Sequence, residues 1–68
     1  MRYYDIHVQY GSKDGDGYSI PIAIEKGNEN VAIKKAVKNG CFEYEEDVND
    51  IDYIEEISKE EYYQMVKM

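Results

Sequence analysis

The sequence holds one cysteine, one proline and no tryptophan. With Cys41 alone, no intramolecular disulfide can form, although small secreted domains of this length usually depend on such staples. No stretch approaches the roughly 20 consecutive apolar residues of a membrane-spanning helix. The opening Met1-Arg2-Tyr3-Tyr4-Asp5-Ile6-His7 has no apolar run of signal-peptide length. These absences lead to the expectation of a cytoplasmic chain with no membrane association. Positive charge is also scarce, with eight Lys and Arg against fifteen Asp and Glu, a net charge of −7. Such a chain is repelled by nucleic-acid phosphates and by anionic lipid, so direct nucleic-acid binding is not expected.

Catalytic signatures are missing as well. There is no phosphate-cradling glycine motif, no nucleophile elbow and no Cys-x-x-Cys. His7 is the only histidine, and Cys41 lies far from it in sequence, which gives neither metal-ligand spacing nor a nucleophile–base pair. Cys41 follows a helix C-terminus, where the dipole disfavours a thiolate, so it reads as a small buried residue. The sequence therefore predicts no enzyme, no cofactor and no metal. The segment Ser12-Lys13-Asp14-Gly15-Asp16-Gly17-Tyr18 resembles a calcium loop at its third, fifth and sixth positions. However, Ser12 stands at the first position and Ala23 at the twelfth, where a bidentate Glu is needed. A hairpin turn is the simpler reading.

What is present is enough for one domain over residues 1–68. A core of this size supplies roughly 3–5 kcal/mol and leaves little room for a deep cavity. Tyr4, Ile6, Val8 and Tyr10 alternate with Tyr3, Asp5, His7 and Gln9, the period-2 pattern of a half-buried strand. His7 then points away from the core. After the glycine-rich residues 11–17, Tyr18, Ile20, Ile22 and Ile24 repeat the alternation, which gives a β-hairpin. Pro21 donates nothing to a ladder and places this second strand at an edge.

Asn28 is an N-cap candidate, and from Glu29 the apolar residues Ala32 or Ile33, Ala36 and Val37 take helical spacing up to Asn39-Gly40. Cys41 and Phe42 should tuck under that helix end. Residues 43–50 read as an acidic loop and 51–57 as a third strand, in which Ile54 and Ile57 are out of phase. Ser58 and Glu61 form a capping box for a last helix over 59–67, offering Tyr62, Tyr63 and Met65 or Val66 to the core. The expected fold is α+β, ordered β-β-α-β-α. It has a three-stranded antiparallel sheet of order 2-1-3 and helices packed on one face.

The charge is local. Residues 43–61 contain ten acids and one lysine, whereas residues 1–42 together carry +1. Carboxylates at alternate strand positions stand about 6.6 Å apart, of the order of successive phosphates on one DNA strand. Eight tyrosines accompany them. Tyr3, Tyr44 and one of Tyr62 or Tyr63 are expected to be partly exposed, and exposed tyrosine favours protein contact. The candidate partner-binding residues are Glu43, Tyr44, Glu45, Glu46, Asp47, Asp50, Asp52 and Tyr53.

The run Glu43-Tyr44-Glu45-Glu46-Asp47, the short length, the acidity and the absence of enzyme motifs resemble small acidic proteins of phages and other mobile elements of low-GC bacteria. Some of these are anti-CRISPR or antirestriction proteins that imitate nucleic acid. That resemblance implies an inhibitor whose partner is a basic, nucleic-acid-binding protein surface. The alternatives are a structural or regulatory module that forms homodimers through a strand edge or its C-terminal helix, and an enzyme or small-ligand binder acting through Asp14, Asp16, His7 or the carboxylate cluster.

Overall fold

A computed structural model describes residues 1–9 and 17–67. The strands are β1 (Arg2–Gln9), β2 (Gly17–Ile24) and β3 (Ile51–Ile57), and the helices are α1 (Glu29–Lys38) and α2 (Lys59–Val66). A 3-10 helix, Glu45–Asp50, leads into β3. The sheet is antiparallel in the order β2-β1-β3, as the sequence predicts. Tyr10, most of the glycine-rich connection with Asp14 and Asp16, and Met68 lie outside the described residues.

Alternation along β1 and β2 builds the core on one sheet face. Tyr4, Ile6, Val8, Ile20, Ile22 and Ile24 are buried there against Ala32 and Ala36 of α1, with Ile6 fully hidden. The alanines let the helix approach the sheet closely, and Ile33, Cys41 and Phe42 close the edges of the cluster. Val37, expected in the core, is exposed, because the helix turns its Ala32–Ala36 stripe inward.

α1 is bounded by its own chemistry. The Asn28 side chain accepts the Asn30 N–H at 3.0 Å at the start. At the end, Cys41 N–H donates to Ala36 C=O at 2.9 Å and Gly40 N–H to Val37 C=O at 3.1 Å, the paired bonds of a Schellman stop. Gly40 sits at φ +67°, where a side chain would be strained. Gly17, the first residue of β2 rather than the end of the turn, lies so close to β1 that a Cβ would meet Val8 O at 2.0 Å.

The two helices take different sheet faces, in contrast to the expected single face. Tyr3, on the phase opposite to Tyr4, packs against Tyr62 of α2 with the rings tilted and their centroids 5.0 Å apart. Ala23 and Ile57, which flank Tyr3 across the sheet, are buried on that side. This arrangement explains the irregular phase of β3. Ile54 pairs with Ile6 on the α1 side, whereas Ile57 pairs with Tyr3 on the α2 side. Between them and Ile51, the register shifts so that Asp52 is an extra residue, and the bulge returns Ile51 to the Val8 side. Ser58 caps α2 by accepting the Glu61 N–H at 3.1 Å, and the helix offers Tyr62 and Met65 to the fold, while Tyr63 and Val66 remain exposed.

Candidate functional site

Most of the acidic segment 43–50 is ordered as the 3-10 helix Glu45–Asp50 rather than left as an open loop. Its anchor is Asp47, one of the residues expected at a partner surface, which is only 3% exposed. The correction has a clear cause. Asp47 Oδ2 accepts the Tyr18 hydroxyl at 2.6 Å and the Tyr44 N–H at 3.3 Å. The same Tyr18 oxygen accepts the Glu43 N–H at 2.9 Å. One tyrosine on β2 and one carboxylate therefore clasp the segment against the sheet. Burial, followed by the bond to Asp47, pushes the Tyr18 hydroxyl above the usual tyrosine range.

Tyr44, at 61% exposure, faces solvent next to exposed Glu43, Glu45 and Glu46 at the start of the 3-10 helix. Asp50 at its end and Asp52 at the bulge are exposed too. Among the described residues, Glu45, Glu46, Asp50 and Asp52 make no ion pair. Tyr53, also exposed, does not join them. Its ring lies on His7, centroid to centroid 4.0 Å at 18°, on the α2 side of the sheet. The eight candidate residues are thus divided among an outward acidic segment, a buried clasp and the opposite sheet face.

That opposite face carries a polar cluster that sequence reasoning missed. Asp5 and His7 share one face of β1, and the β1–β3 register sets Glu55 beside Asp5 and Tyr53 beside His7. Asp5 is 6% exposed, although its position alternates with core residues and faces away from them. Its Oδ2 lies 2.9 Å from His7 Nε2, and Glu55 Oε1 lies 3.8 Å from the same nitrogen. On the other side of the ring, Ser19 Oγ is 3.3 Å from Nδ1. Burial raises the Asp5 carboxyl above the ordinary range, His7 opposes the rise, and the charges of Glu55 and Glu61 reinforce it. The Asp5-x-His7 spacing on a strand was a visible signal. Its third member was not, because the β3 register depends on the bulge.

At the start of β1, Arg2 grips Glu56 with two parallel bonds, Nε to Oε2 at 3.1 Å and Nη2 to Oε1 at 3.0 Å. This fork holds the Glu56 carboxyl below its usual range and removes it from the set of uncompensated acids. No protein-family model matches the sequence, and no curated protein or solved structure matches it.

Proposed function

We propose that the chain is a non-enzymatic protein-interaction domain that offers its acidic, tyrosine-bearing segment to a basic protein surface. In its most concrete form it is an inhibitor that occupies a nucleic-acid-binding site. The observation that carries this reading is the division of labour within 43–52. Asp47 is spent on the clasp, which orders the segment, while Glu45, Glu46, Asp50 and Asp52 stay exposed without an ion pair among the described residues. Like charges held on an ordered backbone, with no cation among the described residues paired to them, create a field that steers a basic partner. Tyr44 adds contact area at low entropic cost.

The test is charge reversal that spares the anchor. A Glu45→Lys, Glu46→Lys, Asp50→Lys variant keeps Asp47 and should retain the wild-type circular-dichroism spectrum and melting temperature. Wild-type protein immobilised at low salt should capture a basic nucleic-acid-binding protein from its native host. High salt or a competing oligonucleotide should release that protein, because screening and phosphate competition act on the same charges. Capture by the triple variant at wild-type strength overturns the reading.

Self-association is the second reading, favoured by the exposed Tyr63 and Val66 of α2. Strand-edge pairing has less support, since Pro21 blunts β2 and Asp52 and Glu55 would repel a second copy of β3. Sedimentation at low micromolar concentration separates the readings: a stable dimer insensitive to salt supports assembly through α2.

A further inference from the structure

On the sheet face away from α1, Asp5, His7 and Glu55 present one ligand atom each within 4.8 Å of one another. Two further features single this cluster out from ordinary surface carboxylates. Asp5 is more than nine-tenths buried, and its Oδ1 has no hydrogen-bond partner among the described residues. Polar groups so deeply buried are hydrogen-bonded in the great majority of cases. His7 Nε2 is also without an aligned hydrogen bond, even though Asp5 Oδ2 is 2.9 Å away. The ring nitrogen and the carboxylate are close, but the nitrogen is aimed off the oxygen. A mutual hydrogen bond would require alignment, whereas two ligands of one ion need only converge on a common point.

We propose that Asp5, His7 and Glu55 form a binding site for a divalent transition cation, of which Zn2+ is the representative. In a tetrahedral shell, ligand bonds of about 2.0–2.2 Å set neighbouring ligand atoms about 3.3–3.6 Å apart. The separations of 2.9 Å and 3.8 Å from His7 Nε2 bracket that range. Glu55, with half its side chain exposed, is the member free to close the remaining gap.

The surroundings favour the same assignment. Ser19 Oγ lies 3.3 Å from Nδ1, and the tautomer that donates Nδ1–H to this oxygen is the one that leaves the Nε2 lone pair for a metal, while Tyr53 stacks on the ring to fix its plane. One imidazole nitrogen and two carboxylate oxygens suit Zn2+ and its first-row neighbours, with water completing the shell. Ca2+ asks for six to eight oxygens, which three residues do not supply. The site shares no residue with the acidic segment 43–52, so its fate and that of the protein-interaction reading are separable.

The metal-free 68-residue chain titrated with ZnCl2 gives the test. The expected result is saturable one-to-one binding by calorimetry and movement of the ring signals of the single histidine in the NMR spectrum. The melting temperature should rise with ZnCl2 but not with CaCl2 or MgCl2. Glu55→Gln, at an exposed position that does not threaten folding, should weaken binding about tenfold or more, and Ser19→Ala about 10–100-fold. His7→Ala should abolish binding, and Glu46→Gln should leave it unchanged. Ring signals unmoved by Zn2+ overturn the site, as does wild-type affinity in Glu55→Gln. If His7→Ala does not fold, Glu55→Gln alone decides.

Discussion

Two buried carboxylates behave in opposite ways. Asp47 is paid for by a tyrosine hydroxyl and a backbone N–H, so it stabilises the segment that it anchors. Tyr18→Phe removes the stronger donor and leaves the acid buried, which should cost about 1–3 kcal/mol in a urea melt. The sign with pH follows from the raised Tyr18 hydroxyl. Its contribution is complete below the ordinary tyrosine range near pH ~10 and is lost as pH rises through the higher folded-state value. Spectrophotometric titration should show a late-titrating component that is lost in Tyr18→Phe. Asp5 is the reverse case, since a buried charge with an orphaned oxygen opposes folding. Asp5→Asn should therefore raise the melting temperature of chelator-treated protein while eliminating its response to Zn2+. A lowered melting temperature would show that the His7 contact more than offsets the burial.

At the scale of elements, caps and phases explain most of the chain. The N-cap, the left-handed glycine and the capping serine were all legible, and each falls on the predicted residue. Nothing lies near a Cβ added to Gly40, so Gly40→Ala tests backbone strain alone and should cost about 1–2 kcal/mol in a thermal melt. β3 was legible only as a strand. Its apolar residues serve two faces, and neither Ile54 nor Ile57 says which face it serves until β1 supplies the register and Asp52 the bulge. The 3-10 helix was hidden for a related reason. Its clasp is a contact between Tyr18 and Asp47, which local propensity does not encode.

For the whole molecule, one small cluster against α1 holds the fold, and α2 contributes no fully buried residue. Ile6 lies at the centre of the middle strand and is fully hidden. Ile6→Ala should cost about 2–5 kcal/mol, comparable to the entire stability expected of such a core, so the variant should be largely unfolded at 25 °C by circular dichroism. The location of charge matters at this scale too. The uncompensated acids lie on the segment clasped by Tyr18, while the Asp5–His7–Glu55 cluster occupies the face shared with α2. Two separate chemical surfaces thus arise on one thin sheet.

The sequence by itself determined the α+β class, the strand order, the helix starts and the concentration of negative charge in 43–61. These follow from alternation, helical spacing, caps and a count of charges, all of which are local properties of the chain. Only the tertiary structure decided that Asp47 is an anchor rather than a contact residue, that the helices take opposite faces, and that Asp5 and His7 meet Glu55. Each of those outcomes depends on pairing between distant segments, where a register set by a single bulge residue determines which side chains face one another.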